Sequence, residues 1–172
     1  MENKKTVLIT GATSGIGLSI ATRLHKNGFE VFGTSRYPDR YENEFPFELL
    51  ELDVTSQESV DRCVVQLFSR IKNLDILISN AGTILSGNVE EITIEQGKQQ
   101  FETNFWGSVR VTKAILPYMR QQRFGKIIVT GSLVGLIGAP FSGYYSASKH
   151  AIEGFFKSLR FEIKKFNVHV SV

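Results

Sequence analysis

Tyr145 and Lys149 lie four residues apart, so a helix would carry them on one face. No other tyrosine of this chain has a lysine four positions later. A phenol, with an ordinary pKa of about 10, is a poor base near neutrality. An ammonium one turn away favours its charged form. Such a tyrosine could protonate a carbonyl oxygen during a reduction, or take a proton during an alcohol oxidation. Ser132 stands 13 residues before Tyr145, at the end of a strand-like run, where its hydroxyl could hold the same oxygen. Taken alone, a Tyr–Lys pair at this spacing reads more simply as a surface pair.

A second constellation is the run Thr10-Gly11-Ala12-Thr13-Ser14-Gly15-Ile16-Gly17. Its glycines are spaced four and then two, unlike the G-x-G-x-x-G dinucleotide pattern. The physics is similar. Small residues let the backbone turn tightly and approach a pyrophosphate, and the following helix offers free N–H groups and the positive end of its dipole. The plainer reading is a tight strand-to-helix turn. In a dinucleotide site, a carboxylate about 20 positions further on would hold the ribose hydroxyls of NAD. Here that region reads Thr34-Ser35-Arg36. A guanidinium suits bidentate contact with a phosphate, which favours NADP over NAD. Asp39 keeps NAD open, and Arg36 also reads as a solvated loop residue. The positive charge of a bound nicotinamide would add to the effect of Lys149 on Tyr145.

The elements that must position these groups alternate along the chain. Strand-like runs cover residues 6–10, 29–34, 47–52, 75–79, 126–130 and 168–172. Helical patterns follow the glycine turn as far as a C-terminal Gly28, run from Ser56 to about Ile71, and span roughly 93–122 and 144–166. Gly97 predicts a break in the third of these helices. Continuous apolar strands are those of a parallel sheet covered on both faces. Alternation with helices gives an α/β, doubly wound parallel sheet, formed by one domain over residues 1–172. Ligands of such sheets bind beyond the carboxyl ends of the strands, where strand order reverses. Both constellations fall at those ends.

Composition narrows the rest. With 42% hydrophobic and 22% charged residues the chain is neither disordered nor low-complexity. A net charge of +3 is too weak and scattered to imply nucleic acid. The cluster Lys157, Arg160, Lys164 and Lys165 reads as a solvated helix face. His25, His150 and His169 lie far apart, with no metal-ligand spacing, so no metal is expected. The single Cys63 excludes an internal disulfide. No long apolar run predicts a membrane span, and the polar start before strand one does not resemble a secretory leader. These features point to a cytoplasmic protein.

Together the motifs resemble the short-chain dehydrogenase/reductase family. The resemblance runs from Thr6 to Val172 through the Thr10–Gly17 turn, Asp53-Val54, Asn80-Ala81-Gly82, Asn104-Phe105-Trp106-Gly107, Ser132 and Tyr145-Ser146-Ala147-Ser148-Lys149. It implies a Rossmann-like fold and an NADP-dependent oxidoreductase acting on a hydroxyl or carbonyl. Tyr145 would be the general acid/base, Lys149 its tuner and a ligand of the nicotinamide ribose, and Ser132 the group that orients the substrate oxygen. Asn104 would hold a water in a proton relay with Lys149; by its position alone it reads equally as a helix amide bonding backbone. Gly11, Thr13, Ser14, Gly15, Ile16 and Gly17 would surround the pyrophosphate, Asp53 and Val54 would meet adenine, and Asn80, Ala81 and Gly82 would flank the cofactor. Asn80 would also brace the central strands.

The segment from Val129 to Lys149 is similar to the hydroxysteroid and retinol dehydrogenase branch. Leu133, Val134, Leu136, Ile137 and Phe141 make it apolar, either as a substrate wall or as packing beneath a loop. A steroid-, retinoid- or lipid-like substrate follows from the first reading. On the last helix, Ile152, Phe155, Phe156, Leu159, Ile163 and Phe166 form a core stripe, and Ala147, Ala151, Gly154 and Ser158 form a second, small-residue row. The resemblance implies a homodimer or homotetramer through the two long helices. It also implies further elements after strand six, a helical lid and a seventh strand. Their lack after Val172 suggests a shortened chain and leaves a second reading, an inactive NADP-binding or interaction protein.

Overall fold

A computed structural model describes residues 4–172. Six parallel strands form one sheet: β1 (Thr6–Ile9), β2 (Glu30–Ser35), β3 (Glu48–Glu51), β4 (Ile76–Ser79), β5 (Gly125–Val129) and β6 (Val168–Ser171). Their order is β3-β2-β1-β4-β5-β6, so the direction of winding reverses between β1 and β4. The register sets Leu8 beside both Phe32 and Leu77, and Leu77 beside Ile127. Among the described residues the five α-helices are α1 (Gly15–Lys26), α2 (Gln57–Phe68), α3 (Ile94–Phe101), α4 (Gly107–Gln122) and α5 (Gly143–Ile163). The expected α/β doubly wound sheet is the observed fold, with each strand and helix boundary shifted by a few residues at most.

Local chemistry accounts for the ends. Gly28 follows α1 in the left-handed region at φ 83°, where a side chain would be strained. Ser56 caps α2 by accepting from the Ser59 N–H. Thr93 and Gln96 close a capping box at the start of α3.

The two faces of the sheet are unequal. Helices α2, α4 and α5 bury one face through residues such as Val60, Leu67, Ile115, Ile152 and Phe156. On the other, α1 covers Val7, Ile9, Val31 and Ile78. Strands β1, β2 and β4 are thus sandwiched. Beyond them, Lys126, Ile128, His169 and Ser171 on the α1 side of β5 and β6 are exposed. The expectation of covered faces holds for the central strands and fails for this pair. Cys63 lies in the larger core, where burial, with Glu51 near, pushes its thiol up to about 12.

The long third helix departs from its predicted shape. It is not interrupted at Gly97. A π-helical turn, Glu102–Trp106, joins α3 to α4 instead. Such turns carry one extra residue and swing a side chain out of helical register, often at functional sites. Here the residue concerned is Asn104. Gly97 is buried inside α3 for another reason: its Cα lies against the ring of Tyr144, and a Cβ would collide with that ring. A helix breaker and a close contact have opposite signatures. Gly97→Ala would stabilise a helix by about 0.5–1 kcal/mol if only propensity mattered. With Tyr144 in the way, the substitution is expected to destabilise by about 1–3 kcal/mol in urea unfolding.

Candidate functional site

A cleft of about 740 Å³ opens at the carboxyl ends of the strands, on the line where the winding reverses. That volume is typical of a small-molecule site. Its floor is braced by Asn80, the first residue after β4. The Asn80 side-chain amide donates to the carbonyls of Thr10 (3.0 Å) and Gly11 (3.2 Å), and its Oδ1 accepts from the Thr130 hydroxyl (3.3 Å). In return, the backbone N–H groups of Asn80 and Ala81 both donate to Thr10 Oγ1 at 2.9 Å. One side chain therefore ties together the ends of β1, β4 and β5.

The glycine turn is shaped by this brace. Gly11 adopts φ 67°, and a Cβ on it would press within 3.1 Å of Ala81 Cα. Gly17 lies beneath the Gly11 carbonyl and the Asn80 amide, with no room for any side chain. Gly17 is thus a packing glycine, away from the cleft lining, whereas Gly11, Thr13, Ser14, Gly15 and Ile16 line it. Ser14 is extended and its hydroxyl does not cap α1, whose first turn carries no acidic residue. The free N–H groups and positive dipole end of α1 therefore face the cleft, the condition for binding an anion.

The adenosine end expected from the sequence is lined by Arg36, Tyr37, Arg40, Asp53 and Val54. Asp39 is exposed and does not line the cleft. Asp53 Oδ1 accepts from the Thr55 N–H (2.9 Å) and hydroxyl (2.7 Å), so this carboxylate shapes its own turn. Asn80, Ala81 and Gly82 line the middle of the cleft.

Tyr145 and Lys149 line its inner end from α5. Lys149 is 6% exposed, and its ammonium donates to the Thr130 carbonyl at 2.7 Å. The ammonium lies 5.8 Å from the centre of the Tyr145 ring. Burial holds the Lys149 pKa below the ordinary 10.5. Thr130 is thus shared: its hydroxyl bonds Asn80 and its carbonyl bonds Lys149.

Besides Gly17, the expected site residues Asn104, Ser132 and Val134 are not among those lining this cleft. Asn104 is 1% exposed; its Oδ1 accepts from the Thr83 N–H (2.8 Å) and its amide donates to the Thr83 carbonyl (3.0 Å) and Ser148 Oγ (3.2 Å). Ser148 in turn donates to the Tyr145 carbonyl at 2.8 Å. Asn104 therefore joins the wall after β4 to the backbone of Tyr145, and its side chain makes no bond to Lys149. Ser132 begins a 3-10 turn by accepting from the Gly135 N–H at 2.9 Å and, like Val134, is half-buried outside the cleft lining. Gly135 packs on Lys149, with space for no Cβ larger than a tight contact, so this turn rests on α5.

Leu133, Leu136, Ile137 and Phe141 are exposed, Leu133 at 72%. Ile84 and Val89, after β4, are exposed as well, and the Gly87 N–H donates to the Phe141 carbonyl at 2.9 Å. Among the described residues the two loops thus carry these apolar side chains exposed. Sequence reading missed Tyr37, Arg40, Tyr41, Thr83 and Thr103 as lining residues. Arg40, four residues after Arg36, was the one with a legible signal. Among the described residues no group of His, Cys, Asp and Glu could hold a metal, and no helix is long and apolar enough to cross a membrane.

The short chain dehydrogenase family model matches residues 5–172. The chain is 44% identical to a 3-ketodihydrosphingosine reductase of Bacteroides thetaiotaomicron over 164 residues, covering 95% of this chain and 60% of that protein. It is 38% identical to human retinol dehydrogenase 8 over 180 residues, covering 98% of this chain and 57% of that one. Among solved structures, a short-chain dehydrogenase from Streptomyces avermitilis superposes with a TM-score of 0.93 at 32% identity, covering 99% of this chain and 64% of that chain. ElxO, solved with NADP bound, superposes with a TM-score of 0.92 at 31% identity, covering 96% and 71%. The chain thus spans about 60% of the length of these curated relatives.

The state of Lys149 is open to direct measurement. Its lowered pKa means that the folded chain binds this proton less tightly than the unfolded chain does. Stability linked to Lys149 must therefore rise with pH between that lowered value and 10.5. Urea unfolding of the wild type against Lys149→Met should show the difference moving in favour of wild type over that alkaline window. A flat difference would mean that the ammonium is held without penalty.

Proposed function

This chain belongs to the short-chain dehydrogenase family, and on that premise we propose that it is an NADP-dependent oxidoreductase interconverting an alcohol and a carbonyl on an apolar, lipid-like substrate. The observation that carries the reading is the shared cleft. The Tyr145–Lys149 pair and the uncapped start of α1 open on the same cavity, linked through Thr130 and Asn80.

The residues present suit a dinucleotide. The positive-φ Gly11 and Gly15 leave bare backbone beside the start of α1, where a pyrophosphate finds N–H donors. Arg36 stands where the phosphate on the adenosine ribose would be read. Asp53 and Val54 would hold the adenine, Asn80, Ala81 and Gly82 would line the middle, and Lys149 would meet the nicotinamide ribose. When bound, the nicotinamide supplies or accepts a hydride at the substrate carbon.

The remaining work belongs to side chains of this chain. In the reducing direction the Tyr145 hydroxyl gives its proton to the carbonyl oxygen as that oxygen gains charge; in the oxidising direction the tyrosine oxygen takes the alcohol proton. The Lys149 ammonium stabilises negative charge on the tyrosine oxygen, in a place from which water is largely excluded. We assign the substrate oxygen to Ser132, two residues beyond Thr130 of the cleft wall. Asn104 acts through Ser148 on the backbone at Tyr145, as a positioning residue. The apolar residues Leu133, Leu136, Ile137 and Phe141 favour a substrate with a long hydrocarbon part, and the names of the reductase and retinol dehydrogenase relatives support that class.

Tyr145→Phe keeps the ring and removes the transferable proton. It is expected to lower NADPH-dependent reduction of a long-chain ketone by about 10²–10⁴-fold, with NADPH binding, followed by its fluorescence, little changed. Turnover that survives the substitution would sink the proposed proton transfer.

A further inference from the structure

Beyond Gly82 the chain leaves the sheet without regular structure, and Thr83 and Ile84 line the cleft. Among the described residues the Thr83 carbonyl and the Leu85 N–H, on either side of Ile84, have no backbone partner. They bond to one side chain instead. The Gln100 amide donates to the Thr83 carbonyl at 2.6 Å and to the Thr83 hydroxyl at 3.2 Å, and its Oε1 accepts from the Leu85 N–H at 2.6 Å. Gln100 lies in α3 at 2% exposure and does not line the cleft. A buried amide is costly unless it is bonded, and this one is bonded at both ends. Between the two anchored groups the Ile84 side chain is 70% exposed. α3 itself rests on α5, where Gly97 meets the ring of Tyr144, the neighbour of Tyr145.

We propose that Gln100 is a positioning residue that fixes Ile84 at the cleft and so sets the preference for the length of the substrate's hydrocarbon part. This rests on the oxidoreductase reading above and adds to it a residue outside the cleft. A carbonyl and an N–H two residues apart are the groups that a neighbouring strand would bond, and one amide supplies the matching donor and acceptor. Without such a partner a loop samples many conformations, and ordering it on binding offsets what an apolar contact contributes. Thr83 and Leu85 are pinned to α3, and α3 is seated on the helical turn that carries Tyr145. Ile84 therefore holds a fixed place relative to Tyr145 and Lys149, from which it discriminates by contact with the carbon chain beside the reacting carbonyl.

The test compares NADPH-dependent reduction of 2-decanone and 2-butanone. Ile84→Ala is expected to lower kcat/KM for 2-decanone about tenfold, through KM, and to leave 2-butanone within about twofold. Gln100→Leu keeps the bulk of the side chain and removes its donor and acceptor. It should shift the preference in the same direction by less, with kcat little changed, and add nothing in the Ile84→Ala background. The NADPH Kd, read by fluorescence, should stay within about twofold in each variant, whereas a merely structural role would lower kcat and cofactor binding together. A measurement on the wild type needs neither a variant nor turnover: the Leu85 amide should exchange its hydrogen at least about tenfold more slowly than the Ile84 amide beside it. An active wild type whose preference for 2-decanone is untouched by Gln100→Leu, or whose Leu85 amide exchanges as fast as that of Ile84, would overturn this inference and leave the oxidoreductase reading standing. A wild type that reduces neither ketone, or prefers neither, would overturn the lipid-like reading and this inference with it.

Discussion

Everything at the cleft depends on how a parallel sheet ends. Where winding reverses between β1 and β4, the two connections leave on opposite sides and the strand ends lose their neighbours. Backbone donors and acceptors there must find partners or stay wet. Asn80 meets that demand for three strands at once, with an amide that can donate twice and accept twice. Thr10 Oγ1 returns the contact by accepting two N–H groups from the next strand end. The pair leaves the start of α1 free and pointing outward. Gly17 is the steric corollary, because any Cβ there would displace the brace.

The same network reaches Tyr145 and Lys149. A buried ammonium is costly unless something meets its charge. Lys149 has the Thr130 carbonyl, whose own residue is bonded to Asn80. On the far side, the Asn104 amide in its π-helical turn fastens the segment after β4 to α5 through Ser148. Tyr145 is therefore positioned from both ends, by the sheet through Lys149 and by α3–α4 through Ser148. The contact of Gly97 with Tyr144 adds a third restraint on the same helical turn. The glycine turn and the Tyr145–Lys149 pair form one mechanical unit.

Legibility in the chain followed the range of the interaction concerned. Glycine spacing, the Gly28 stop of α1, the apolar strands and the Tyr145–Lys149 spacing are local, and each appears in the structure where it was expected. Gly97 misled because its small size serves a contact with Tyr144, 47 residues away, and a propensity argument sees only a helix breaker. The π-turn at Asn104 has no periodic signal, since it exists to satisfy groups on another segment. Arg40 was legible only as an arginine near another; its approach to Tyr37 needs the turn that Pro38 begins. The bare side of β5 and β6 could not be read from apolar content, because coverage depends on where helices cross.

By itself the sequence determined the order of strands and helices, the glycine turn, the family resemblance and the placing of Tyr145 and Lys149 on one helix face. These are matters of backbone preference and short spacing, which residue types decide within a few positions. Only the tertiary structure decided that Asn80 carries three strand ends, that Thr130 joins Asn80 to Lys149, and that the Asn104 side chain bonds Thr83 and Ser148. Those outcomes are settled by which buried polar group finds which partner, and in a sheet wound both ways the partners lie 50 or 70 residues apart.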